Sequence, residues 1–232
     1  MKLDLMKPLF VIPGRWNSSI FSPEWLAKHF YNFEGDSIEG NIIEVYDSGA
    51  LTKSIIFVNG IGVAASDVRV EVFASDIEVD HLEEVKSATV RLLSCLEHTP
   101  IGAFGLNLRF IELEDSQPFQ EQLEIVDSLM PEFPRTNIKI STTYQYNDDL
   151  ELNIRKNEAE KSLSFNFHNR LAPNSRPADQ LERFAIKEIF QFAVNSGKQH
   201  FGIEEYEVMA FDASSTKANN DDKTETETAE AI

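Results

Sequence analysis

The order of predicted elements in this sequence repeats at an offset near 97 residues. A repeated order narrows the accessible folds more than any composition does. Residues 9–12 form a short apolar run closed by Pro13-Gly14. Further on, Leu106, Leu108 and Phe110 alternate with Asn107 and Arg109. Both read as strands, since strand side chains alternate between faces. Each strand precedes a helix start. In Ser22-Pro23-Glu24 the serine suits the N-cap, the proline the first helical position and the glutamate the positive helix end. Trp25, Leu26, His29 and Phe30 follow at helical spacing. After Ser116-Gln117-Pro118, residues Phe119, Leu123, Val126 and Met130 line one helix face.

Both series continue in step. Residues 41–46 and 51–58 read as strands around Asp47-Ser48-Gly49, as do 138–146 and 150–155 around Asn147-Asp148-Asp149. These turn residues tolerate positive φ or cap their own backbone. A further strand follows in each series. Val68, Val70 and Val72 alternate with Arg69 and Glu71, and Leu163, Phe165 and Phe167 with Ser164 and Asn166. Each is expected to keep one wet face. An additional short strand is expected at residues 61–64. Asp80 and Asp179 then read as N-caps of two long helices. Their apolar stripes are Leu82, Val85, Thr89, Leu92 and Leu96 in one, and Leu181, Ala185, Ile189 and Ala193, widened by Phe184, Phe192 and Val194, in the other. Phe104-Gly105-Leu106 and Phe201-Gly202-Ile203 read as matching strand entries, and residues 201–211 as a closing strand.

The expected fold is α+β: a duplicated β-α-β(3-4)-α unit forming one continuous curved antiparallel sheet, with helices on one face. The first unit spans residues 1–103 and the second, with its closing strand, 104–212. This order of elements resembles that of the TATA-binding-protein-like fold class. The resemblance covers element order alone and carries no function with it. Residues 213–232 lack aromatics and, before Ile232, large aliphatics, and hold five acids against two lysines. They are expected to form a disordered acidic tail.

The formal charge of −18 disfavours the phosphate backbone of nucleic acids and anionic membrane surfaces. No stretch approaches the roughly 20 apolar residues of a membrane span. The one cysteine, Cys95, cannot form an internal disulfide, and its Leu92, Leu93 and Leu96 neighbours suggest a buried apolar role. A cytoplasmic protein is expected.

No catalytic motif is present, no cofactor is indicated, and the chain reads as non-catalytic. Asn59-Gly60-Ile61-Gly62 and Gly102-Ala103-Phe104-Gly105 do not lead into helices, as phosphate-binding loops do. None of the five histidines has the spacing that puts two metal ligands on one helix face. Acid pairs such as Glu112/Glu114 and Glu204/Glu205 read as solvated faces. Arg15 and Trp16, in a loop with no obvious helix or strand to pack into, are the candidate interface residues, the alternative being that Trp16 tucks back over the helix that begins at Ser22. His98 and His200 each follow a long helix and are the candidate pocket residues. The primary expectation is an accessory protein that binds a protein partner or its own copy. The alternative is an enzyme or small-ligand binder with a pocket between the sheet and the two long helices.

Overall fold

The computed structural model describes residues 1–35, 39–47, 50–112, 139–147, 150–157, 160–172, 175–201, 203 and 205–210. The helix expected at residues 116–130, the acids Glu114 and Glu204, Gly202 and the tail lie outside them. The chain is an α+β protein dominated by a large, mostly antiparallel sheet. It begins with β1 (Lys2–Asp4), β2 (Phe10–Pro13), a 3-10 turn (Ser18–Ile20) and α1 (Pro23–His29). Four strands follow: β3 (Asn41–Asp47), β4 (Ala50–Val58), β5 (Ile61–Ser66) and β6 (Arg69–Ala74). Then come α2 (Val79–Cys95), β7 (Ala103–Ile111), β8 (Lys139–Asn147), β9 (Leu150–Asn157) and β10 (Ser162–Arg170). The last described elements are α3 (Pro177–Glu182), α4 (Ile186–Phe201) and β11 (Glu207–Met209).

The sheet runs β3-β4-β5-β6-β2-β7-β10-β9-β8. β2 and β7 meet at its centre, with Phe10 opposite Leu106. β1 continues along the same side of β7, with Leu3 opposite Phe110. Local chemistry fixes these elements. Ser22 caps α1 by accepting a hydrogen bond from the Trp25 amide, with Pro23 in the first turn. Asn59 and Gly60 both take positive φ, 50° and 79°, and close the β4–β5 hairpin as a two-residue turn. A side chain at Gly60 would also strike Ser75 Oγ and stand 2.9 Å from His81 Cε1. That glycine therefore serves the hairpin.

One face of the sheet carries the main core. Phe10, Ile12, Val70, Val72, Leu106, Leu108, Phe110, Leu163, Phe165 and Phe167 pack there with Leu82, Val85, Leu92, Leu181, Ile189 and Ala193 of the helices. Along each strand these residues are two apart, so burial follows the pleat.

Several expectations are corrected. The outer face of β6 is wet only at Arg69: Glu71 is buried and takes Lys53 Nζ at 2.6 Å and Arg69 Nε at 2.9 Å. Beside it a second apolar cluster of Ile55, Phe57, Ala64 and Phe73 lies on the face opposite the helices. Asp80 does not cap α2. Glu78 holds that position without a side-chain bond, while Asp76 Oδ1 accepts from the Glu78 amide. Close by, the His81 side chain packs against the Gly60 carbonyl at 3.2 Å. The second long helix is two helices. Phe184 leaves the helical path to enter the core, and its carbonyl accepts from Lys86 Nζ. Phe201 is the last residue of α4 and enters no strand. The Ile203 amide donates back to the Gly197 carbonyl at 3.1 Å, a helix-ending bond, and Ile203 is buried. The closing strand is only Glu207–Met209, and it pairs with β1 in parallel. The expected hairpins hold, with Asp47 opposite Ala50 and Asn147 opposite Leu150. Among the described residues, no helix is long and apolar enough to cross a membrane.

Candidate functional site

The side chains of β8 line a cleft against α4. Tyr144 and Tyr146 are two apart and share the face of the sheet that carries the helices. Within the described strands, β8 ends the sheet. Its helix-side ring Tyr146 meets Phe167 edge-on at 5.5 Å and Phe192 of α4 at 4.9 Å. A cleft of about 680 Å³ opens between this strand and α4. Leu152 and Ile154 of β9 contribute apolar walls. Asn195, Ser196 and Gln199 contribute polar groups from α4. Tyr144 and Phe192 stay 51% and 37% exposed at this cleft. Aromatics left accessible beside a sheet edge supply apolar contact area next to backbone groups that can still pair.

Burial, and secondarily the Glu188 carboxylate, hold the Tyr146 phenol above its ordinary value. The ring is therefore neutral at physiological pH and can donate a hydrogen bond, but it is no ready base. Among the described residues, the cleft lining contains no carboxylate to pair with His200. Among the described residues, no group of three or more His, Cys, Asp or Glu is arranged to hold a metal ion.

The residues singled out from sequence fall in different places. His200 stands in the last turn of α4 and lines the cleft. His98 does not line it. Its side chain is 96% exposed beyond α2, 3.6 Å from Glu97. Trp16 packs back toward the helix that begins at Ser22. It is buried, its indole N–H donates to the Ile12 carbonyl at 3.0 Å, and its ring packs edge-on against Phe21. Phe21 and Trp25 continue the stack onto α1. Arg15 alone of that pair is exposed. Cys95 is also corrected: it is exposed, with its sulfur 3.8 Å from His29 Nδ1. Sequence reasoning missed Tyr144 altogether and counted Phe192 only as part of a helix stripe. The available signal was a pair of tyrosines at strand spacing.

The face opposite the helices is different in its second half. Asn107, Asn166, Asn153 and Thr143 stand opposite one another in one row across β7, β10, β9 and β8. Asn166 donates to Asn107, and Thr143 Oγ1 donates to Asn153 Oδ1 at 2.6 Å. The next row is Arg109, Ser164, Arg155 and Ser141. Arg109 is neutralised by Asp4 at 3.4 Å and Glu160 at 2.8 Å, and Arg170 lies 3.6 Å from Glu151. Gly105 sits in this region, where an added Cβ would stand 3.3 Å from Asn166 Nδ2.

Comparison with known proteins finds no matching protein-family model. No curated protein matches the chain either.

Proposed function

We propose that this chain is a non-catalytic accessory protein that binds an extended segment of a protein partner along β8. The observation that carries the reading is the cleft beside an edge strand, flanked by the exposed rings of Tyr144 and Phe192. A segment added to β8 would gain backbone hydrogen bonds from the strand and seat alternate side chains in the cleft. With a net charge of −18 on the chain, a segment carrying basic residues is favoured over an acidic one. The pairing of Arg109 and Arg170 with acids favours a protein partner over nucleic acid.

The reading includes a duplicated architecture. Outward from β2 the strands run β6, β5, β4, β3, and outward from β7 they run β10, β9, β8. Each series therefore reverses chain order away from a central strand, which supports two units of TATA-binding-protein-like element order. We assign residues 213–232 to a disordered acidic tail by composition, and the protein to the cytoplasm.

The test is capture of partners by the full chain, by a Tyr144→Ser/Phe192→Ser variant and by a chain ending at Asp212. A partner held by the full chain and lost from the double variant supports the cleft. A partner lost on truncation moves the contact to the tail. Equal capture by all three chains would remove β8 from the argument. Light scattering on the same samples reads self-association, which the double variant should abolish if the occupant is a second copy.

A further inference from the structure

A second cavity, of about 430 Å³, lies on the other side of Tyr146, between the ends of β8 to β10 and the α3–α4 junction. Its size falls in the range of small-molecule sites. Two of its lining side chains carry buried oxygens with no hydrogen-bond partner among the described residues: Asn169 Oδ1 and Gln180 Oε1. Asn169 is only 7% exposed. It occupies a helix-facing position of β10, where its neighbours along the strand on that face are apolar.

The orientation of Gln180 follows from its neighbour. Ser175 Oγ donates its one hydrogen to the Ala172 carbonyl at 2.7 Å. It can therefore only accept from Gln180, and it does so from Nε2 at 2.9 Å. The Gln180 carbonyl oxygen is thereby left facing away from Ser175 as an acceptor. A buried acceptor without a partner is costly, and two lining one cavity are unusual unless something donates to both. The remaining inner wall is apolar, from Phe184 and Ile189. The charged side chains lining it, Arg183 and Glu188, are exposed and so belong to its rim.

We propose that this cavity binds a small planar ligand through a neutral amino group whose two hydrogens go to Asn169 Oδ1 and Gln180 Oε1. A cation is a poorer match, because no buried carboxylate lines the cavity among the described residues to offset the loss of its hydration. The planar body of the ligand lies against Phe184 and Ile189. A primary carboxamide and the exocyclic amine of a heterocycle share this chemistry. The site is independent of partner binding at β8, apart from the shared wall at Tyr146.

The experiment is a ligand-observed NMR titration of the full chain with matched probes. Benzamide is compared with N,N-dimethylbenzamide and benzoate, and adenine with purine. At least one amino-bearing probe should bind about tenfold or more tightly than its partner without donor hydrogens, since the mismatch leaves both oxygens unpaired. Tight benzamide identifies a carboxamide ligand, and tight adenine an aminoheterocycle. Asn169→Leu should weaken the preferred probe about tenfold while leaving partner capture at β8 unchanged. If no probe binds, or if each amino probe binds like its control, the cavity holds water and the proposal fails. The probe pairs settle this on the unaltered protein, even if the variant does not fold.

Discussion

Replacing Phe184 with alanine should destabilise this protein by about 3–5 kcal/mol, the range for a buried phenylalanine reduced to a methyl group. The residue is 5% exposed, and its ring meets Phe104 edge-on at 5.5 Å and Phe10 at 6.2 Å. Each such ring pair contributes about 0.5–1.5 kcal/mol beyond area burial. A leucine at this position keeps most of the apolar area but forfeits both pairs. Phe184→Leu should therefore cost about 1–3 kcal/mol, clearly less than alanine. For a chain of this size, 1 kcal/mol moves the melting temperature by about 2–4 °C. The alanine variant should thus melt roughly 6–20 °C lower and the leucine variant roughly 2–12 °C lower by the same conversion. Urea unfolding followed by circular dichroism measures both, and the slope should stay unchanged if the native fold persists. A cost below about 1 kcal/mol for alanine, against that expected range, would refute the seating of Phe184 between Phe10 and Phe104. Equal costs for alanine and leucine would refute the ring-pair share of the argument.

Tyr31 should make the protein sensitive to alkali. Burial pushes its phenol far above the ordinary value of 10.0. Above that value the unfolded chain releases this proton and the folded one retains it, so stability should fall by up to about 1.4 kcal/mol per pH unit from this group. Tyr31→Phe should lose about 1 kcal/mol at neutral pH, from the bond to the Ile56 carbonyl, and flatten the alkaline slope in pH-dependent urea melts. Glu71→Ala should cost about 1–3 kcal/mol, below the usual cost of breaking a buried pair because Lys53 and Arg69 are partly solvated. Chemical denaturation of Glu71→Ala beside Lys53→Met would test this, and a loss under about 0.5 kcal/mol would discount the cluster. Ser22→Ala should cost about 1 kcal/mol by removing the cap on the Trp25 amide, and Ser22→Gly less. The same denaturation assay reads that difference, and equal losses would argue against a capping role.

Most strands and both long helical stripes were legible because each repeats at its own period. Val70 with Val72, and Leu163 with Phe165 and Phe167, declare a buried face by alternation alone. The failures come where a period conceals an event. Leu181, Ala185 and Ile189 keep helical spacing across the junction at Phe184, so the stripe hides the break. Ala185 adds to that stripe although it is exposed. Glu71 looks wet by alternation, yet the far face of β4 to β6 has a core of its own. Phe201-Gly202 resembles Phe104-Gly105 in composition but falls where a helix ends, a place where glycine is also a common stop signal. The candidate sites were less legible than the fold. Tyr144 approaches α4 only because β8 lies outermost beyond β9 and β10. Asn169 and Gln180 come from separate elements, and no local pattern marks an oxygen without a partner.

The parallel pairing of β1 with β11 has a mechanical consequence. Lys2 lies opposite Glu207 and Asp4 opposite Met209, so the first and last described strands run side by side in one direction. Tension between the amino terminus and residue 210 pulls the two strands lengthwise in opposite senses. The bonds from the Leu5 amide to Met209 and from the Glu207 amide to Met1 then bear the load in shear, together. Hairpin bonds loaded from one end open in succession. A tether attached beyond residue 210 would therefore meet a clasp that yields all at once, with the amino-terminal strand as its other jaw.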